Sequence, residues 1–253
     1  MTSKPVHETL CYTLLPSANP PQEYLQLHSN VYLFWKNLWR DVFQKLSFPT
    51  DYLNDDFLRQ DVIAVLHTPD EKVVATHLYT FFSLGSPVTK EHKYFEQNFP
   101  NPYYERLQEM GAKEVMTMEY MAVDPAWRKK YQQVHIGSIL VGLAQEVLKA
   151  SSADAAIAPA RRDYKVNEIA YSFGADCVAA EVNNHNVSCD LIANFRDKIC
   201  PHSSADVNQA ITYLWENKND SSGKKWGHQT IAYTKNNFDN LIHLNSLKVK
   251  KSA

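Results

Sequence analysis

The chain has 253 residues, 44% hydrophobic and 21% charged, with a formal net charge of −2. That composition suits a globular fold with a sizeable core, and the missing basic surplus excludes a general nucleic-acid binder. The start, Met-Thr-Ser-Lys-Pro-Val-His-Glu, has no apolar core of a signal peptide, and the longest apolar run, near 136–144, is too short to span a bilayer. Cys11, Cys177, Cys189 and Cys200 show no paired spacing, so a reduced, cytoplasmic protein is expected. His185, Cys189, Cys200 and His202 match no common zinc spacing, and no metal is expected.

Residues 8–15 form a predicted first strand, closed by Pro16, Pro20 and Pro21. Residues 23–46 follow as a helix. Leu27, Val31, Phe34, Trp35, Leu38, Val42 and Leu46 recur at threes and fours and give one apolar face, widened by Trp39 and Phe43. That face packs on a sheet, or part of it lines a pocket. Residues 61–68 and 72–83, rich in Val, Phe and Tyr, read as a hairpin about Pro69-Asp70-Glu71. Residues 90–110 are predicted helical in two pieces, broken at Pro100-Asn101-Pro102 and stopped by Gly111. Their aromatics, among them Phe99 and Tyr103, suggest an insertion over a pocket.

Residues 114–123 are the next strand, apolar on both alternating faces and therefore central. Alternation groups Glu119 with Met121 and Val123. A carboxylate in such a strand is costly unless it is paired or used. After it comes a polar, basic turn with Arg128, Lys129, Lys130, Gln132 and Gln133, and then a helix over 134–150. The first N–H groups of a helix lack internal partners, and its dipole favours negative charge, so strand, turn and helix make an anion site. Gly137 in the first turn suits a ligand lying against the backbone, while Gly142 marks close helix packing. A strand over 154–158, a helix over 161–173 stopped by Gly174, and a strand over 177–182 imply a partly parallel sheet. Residues 184–199 and 204–217 are expected to be two more helices, 219–223 a flexible loop and 229–234 a last strand before a short helix.

Val123-Asp124-Pro125-Ala126-Trp127-Arg128 and, after a slip, Gln132-Gln133-Val134-His135-Ile136-Gly137 resemble the donor-binding motif of the GNAT superfamily of N-acetyltransferases. Asn167-Glu168-Ile169-Ala170-Tyr171-Ser172-Phe173-Gly174-Ala175 echoes its second signature. The clear resemblance covers about 114–182. Within the superfamily the pattern is also similar to the N-acyl amino acid synthases and acyl-homoserine lactone synthases, which have degenerate glycine loops and larger acyl pockets. This chain departs by an extra turn after Arg128 and by His135 at the first glycine position.

The resemblance implies an α/β (α+β) fold. It is one GNAT-like domain over 1–253, a mixed, partly parallel twisted sheet flanked by helices, with helical insertions near 85–111 and 184–217. It implies transfer of an acyl group from acyl-CoA or an acyl-carrier-protein thioester to a primary amine of a small molecule. The donor would lie against Met121, Ala122 and Val123, whose backbone splays from the neighbouring strand and polarises the thioester. Arg128, Lys129, Gln132, Gln133, Val134, His135, Ile136, Gly137 and Ser138 would hold its phosphate, and Asn167 its pantetheine amides. Glu119 is the candidate general base, with His135 as an alternative. Tyr171 and Tyr164 are candidates to protonate the leaving thiolate, Tyr171 standing one position off the family's tyrosine. An acidic carrier protein would favour a basic surface in which Arg161 and Arg162 join Arg128. The competing reading is a non-catalytic ligand-binding or scaffold module.

Overall fold

The computed structural model describes residues 5–49, 53–128 and 134–223. Lys129, Gln132, Gln133 and the strand and helix expected beyond residue 228 lie outside the described residues.

One eight-stranded sheet organises the described residues, in the order β6-β7-β5-β4-β3-β2-β1-β8. Its strands are β1 Cys11–Leu15, β2 Val62–His67, β3 Val73–Ser83, β4 Glu114–Val123, β5 Ala155–Arg161, β6 Asp176–Asn184, β7 Val187–Phe195 and β8 Asn219–Asp220. The pairs β4–β5 and β1–β8 are parallel and the others antiparallel. This is the mixed, partly parallel sheet that the sequence implies. Every residue of β2 is buried, as expected of a strand covered on both faces.

The predicted first helix is α1, Leu25–Lys45, entered through a 3-10 turn at Gln22–Tyr24 after the paired prolines. Leu27, Val31, Trp35 and Phe43 are its buried residues, so the three-and-four spacing does face the sheet. Each such fully buried side chain stabilises the fold by roughly 1.5–3 kcal/mol. A single turn, α2 Leu53–Asp56, follows. The stretch expected to be helical in two pieces is α4 Lys93–Asn98 and α5 Tyr103–Glu109, broken at Pro100-Asn101-Pro102 as expected, and one further turn, α3 Pro87–Lys90, precedes them. Gly111, at φ +97°, takes the left-handed conformation that ends α5.

The helix over 134–150 is α6, Ile136–Ala150, almost wholly buried between the sheet and α8, Ala205–Glu216. A Cβ on Gly142 would collide with Ile211 of α8, so this glycine does mark close helix packing. The helix expected over 161–173 shrinks to α7, Val166–Tyr171, because β5 runs on to Arg161. On the opposite face of the sheet, Trp35 of α1 packs with Phe57 and with Leu78 of β3 over the β1–β4 side, and α4 and α5 cover the β4–β7 side with Tyr94, Phe95 and Leu107.

Two expectations are overturned. The helix predicted over 184–199 is strand β7, so the helical part of the insertion expected near 184–217 is α8 alone. Asn184 pairs with Val187, leaving His185 and Asn186 as a two-residue turn with φ +49° and +63°. Two successive positive φ values match the twist of a tight hairpin, and Asn tolerates them. Cys189, Leu191, Ala193 and Phe195 then alternate onto one buried face. The loop expected over 219–223 contributes β8, which adds a short parallel edge to β1.

Candidate active site at the strand splay

Strands β4 and β5 pair only through Val115–Ala155, Met116–Ala156 and Thr117–Ile157. Beyond Thr117 and Ile157 their ladder ends while both strands continue. At the same level β4 carries a bulge against β3. Thr76 pairs with Ala122 and Leu78 with Glu119, so Tyr120 and Met121 oppose His77 alone. Tyr120 sits at φ +53°. An extra residue inverts the alternation. Glu119, paired with Leu78, therefore faces the α1 side, whereas Met121 and Val123 pack with the core under α6. The sequence expectation that Glu119 shares the face of Met121 and Val123 is corrected by this bulge. Trp39 of α1 fixes it, its indole N–H donating to the Tyr120 carbonyl at 3.2 Å.

Two cavities meet at the splay and share Trp39, Met121, Arg161 and Val166 in their walls. The outer one, about 150 Å³, lies between the end of β4 and the start of α6. Of the residues expected to hold a donor, Met121, Ala122, Val123, Arg128, His135, Ile136 and Gly137 line it. Val134, Ser138 and Asn167 do not line it, and Ser138 is buried. A Cβ on Gly137 would come within 2.8 Å of the His135 ring, so its absence keeps the helix start open. Arg128 is exposed, and its Nε–H donates to the Val123 carbonyl at 3.1 Å. Tyr164, 58% exposed, stands at the rim with the guanidinium groups of Arg161 and Arg128 at 4.7 and 5.7 Å from its ring centre. The pKa of His135 is held below the ordinary imidazole value by desolvation and by His202.

The inner cavity, about 160 Å³, passes through the splay and reaches both faces of the sheet. Glu119, 6% exposed, lies in its wall on the α1 side. Thr117 Oγ1 donates to Glu119 Oε1 at 2.8 Å, and Arg59 Nη2 donates to Oε2 at 2.6 Å. Arg59 also donates through Nε to Asp56 at 3.0 Å, and the Tyr120 hydroxyl donates to the same Asp56 carboxylate. Burial pushes the Glu119 carboxyl above its ordinary range, against the opposing pull of Arg59 and Thr117. The expected aromatic insertion reaches this cavity through Tyr94, Gln97 and Asn98, while Phe99 and Tyr103 pack in the core beside it.

Tyr171 and Asn167 lie elsewhere, around Asp190 of β7. Asp190 Oδ2 accepts from the Tyr171 hydroxyl at 2.7 Å and from Asn167 Nδ2 at 2.9 Å. Its Oδ1 accepts from Arg162 at 2.8 Å and from the Glu181 N–H at 3.0 Å. Tyr171 lines neither cavity. Sequence reasoning missed Asp56, Arg59, His77 and Asp190. The only signal for the first two was a run of charges, Asp55, Asp56, Arg59 and Asp61, just before a wholly apolar strand.

No protein-family model and no curated protein sequence matches the chain. Among solved structures it is similar to BjaI, described as a CoA-dependent acyl-homoserine lactone synthase with SAM and isopentyl-CoA. The TM-score is 0.53 and the identity 10%, over 83% of this chain and 93% of that one. The same synthase with MTA gives a TM-score of 0.51 over the same shares. FeeM, an N-acyl amino acid synthase from uncultured soil microbes, gives 0.47 at 12% identity, over 75% of this chain and 91% of that one. The likeness shows the fold alone: a GNAT-like mixed sheet with flanking helices. Among the described residues no helix is long and apolar enough to cross a membrane, and no group of His, Cys, Asp and Glu is arranged to hold a metal ion.

Proposed function

We propose that the chain is an N-acyltransferase that moves an acyl group from a phosphopantetheine thioester to the primary amine of a small molecule. The observation that carries this reading is the junction of two cavities at one break in the sheet. One has a helix N-terminus and Arg128 at its mouth, and the other has a buried carboxylate in its wall. The donor's phosphate lies at the start of α6, where unpaired N–H groups and the helix dipole favour an anion, with Arg128 as a fixed cation. Its arm follows Met121 to Val123, where the bulge frees backbone N–H groups to polarise the thioester oxygen. Glu119 takes the ammonium proton, directly or through water. The amine then attacks, the C–N bond forms, and the C–S bond breaks. Of the two candidate tyrosines Tyr164 is the one in a cavity wall, so it is our candidate to protonate the thiolate.

The rim favours acyl-CoA over an acidic carrier protein. Arg161 is closed by Asp163 at 2.6 Å, Arg162 by Asp190 and Glu181 at 2.8 and 3.2 Å, and Lys165 by Glu168 at 3.2 Å. A basic docking face built on Arg161 and Arg162 is therefore largely neutralised within the chain. BjaI is described with SAM, which bears a primary amine, so an acceptor panel begins with SAM and the free amino acids. The test is thiol release from acyl-CoA and acyl-carrier protein with this panel, with mass analysis of the N-acyl product. Thiol release that depends on the amine is expected. Tight donor binding with no product from any amine would favour the non-catalytic module.

A further inference from the structure

Two features of the inner cavity on its α1 side bear on the acceptor. The first is a run of rings. Ring centres of Tyr120 and Trp39 lie 5.1 Å apart, those of Trp39 and Phe43 5.8 Å, of Phe43 and Phe48 5.3 Å, and of Phe48 and His185 4.3 Å, each pair edge to face. All five residues line the cavity. They come from three places: α1 with the turn after it, β4, and the tip of the β6–β7 hairpin. Burial holds the pKa of His185 below the ordinary imidazole value, so near neutral pH its ring is uncharged like the others. Such a wall accepts a flat apolar body, and its negative ring faces attract an ammonium and repel a carboxylate.

The second feature is the pairing of charges. The wall holds the carboxylates of Glu119 and Asp56 and the guanidinium groups of Arg59 and Arg161. Arg59 donates to Glu119 through Nη2 at 2.6 Å and to Asp56 through Nε at 3.0 Å, so two buried carboxylates close it. Arg161, shared with the outer cavity, donates through Nε and Nη2 to the two Asp163 oxygens at 3.0 and 2.6 Å. Lys93, outside the wall, reaches Asp56 at 3.5 Å. Each of these cations is already opposed by a carboxylate of the chain. An incoming ammonium meets the oxygens of Glu119 and Asp56. An incoming carboxylate would meet the same two carboxylates and, among the described residues of the wall, no unopposed cation. A buried charge without a counter-charge is costly.

We infer that the acceptor is an arylalkylamine, a primary amine carried on a short chain from an aromatic ring and bearing no carboxylate. The inference rests on the acyltransferase reading and narrows its acceptor. The ring seats against Phe43, Phe48 and His185, and the ammonium lies beside Glu119. SAM and the free amino acids carry a carboxylate next to their amine, so they are the poorer acceptors here.

The test uses matched pairs that differ by one carboxylate: tyramine against tyrosine, tryptamine against tryptophan, and phenethylamine against phenylalanine, with SAM and hexylamine beside them. Amine-dependent thiol release from acyl-CoA gives kcat/KM, and calorimetry on the CoA-loaded protein gives affinity. The wild-type chain should favour the member without the carboxylate by roughly tenfold to hundredfold in each pair, and tyramine over hexylamine by roughly tenfold. Phe48→Leu should raise KM for tyramine by about threefold to tenfold and leave KM for hexylamine and the affinity for CoA near wild type. Asp56→Asn leaves Arg59 with one carboxylate partner fewer, so in the folded variant the penalty on tyrosine relative to tyramine should shrink by roughly tenfold. Equal or better use of the amino acids or SAM by the wild-type chain would overturn the inference and leave the acyltransferase reading standing, and so would equal use of hexylamine and tyramine. Preferential binding of the arylalkylamines without turnover of any thioester would sustain the assignment of the pocket and remove the enzymatic reading. Binding of acyl-CoA with no amine bound or acylated would overturn both.

Discussion

Glu119 and Asp190 are both buried carboxylates in hydrogen-bonded networks, and they differ in almost everything else. Glu119 lies in a cavity wall with two side-chain donors, Thr117 and Arg59, and burial holds its carboxyl above the ordinary range. Asp190 lines no cavity end used by the proposed chemistry. It is met by Tyr171, Arg162, Asn167 and the Glu181 N–H, whose bonds outweigh burial and hold it well below that range. A carboxylate saturated by donors is a structural anchor. One that is short of donors and faces a cavity keeps the capacity to take a proton. The difference also explains why the signature residues Asn167 and Tyr171 are engaged away from the donor cavity.

The largest effect that separates the two is expected in Glu119→Gln. Turnover should fall roughly 10²–10⁴-fold with donor affinity unchanged, and the acidic limb of the pH–rate profile should disappear. Its folded pKa is raised, so ionisation of Glu119 costs stability as pH rises, and the variant should melt no lower than wild type near neutral pH, since Asp56 still pairs Arg59. A stable variant with full turnover would move the base to His135.

Asp190→Asn should do the reverse. Loss of the charge leaves Tyr171, Asn167 and Arg162 without their common acceptor, and unfolding in denaturant should show a loss of about 2–4 kcal/mol. The folded pKa of Asp190 is depressed, so its contribution is fully present above the ordinary carboxylate range and fades as pH falls below it. The stability difference between variant and wild type should therefore narrow in acid. Equal stability at pH 7 would break the contrast.

Gly137→Val should weaken donor binding by roughly tenfold while the melting temperature stays close to wild type, because the added side chain displaces the His135 ring at the helix start. Calorimetry with CoA reads this directly. The smallest effect is expected in Tyr171→Phe, a loss of about 1 kcal/mol for one hydrogen bond to Asp190. Kinetics should be unaltered, whereas Tyr164→Phe should lower turnover. A kinetic defect in Tyr171→Phe would return the thiolate role to that residue.

Much of this was legible in the sequence because it is local. The spacing of Leu27, Val31 and Trp35 marks α1, and the apolar run from Val115 to Val123 marks a central strand. The turn before α6 was legible as a candidate anion site because glycine, a basic residue and a helix start are all written within a short stretch. The hairpin of β6 and β7 was misread because Asn184-His185-Asn186 carries no glycine, and the residues after it suit either state until they are paired.

The sequence by itself determined the order of most elements, the mixed character of the sheet and the position of a buried glutamate beside a candidate donor turn. Tertiary structure alone decided which way that glutamate points, because one extra residue in β4 inverts the alternation and the pairing with β3 creates it. It also decided the partners. Arg59 reaches Glu119 across 60 positions and Tyr171 reaches Asp190 across 19. Periodicity is a property of neighbouring residues, whereas the protonation of a buried carboxylate depends on which distant groups the fold brings within hydrogen-bond reach.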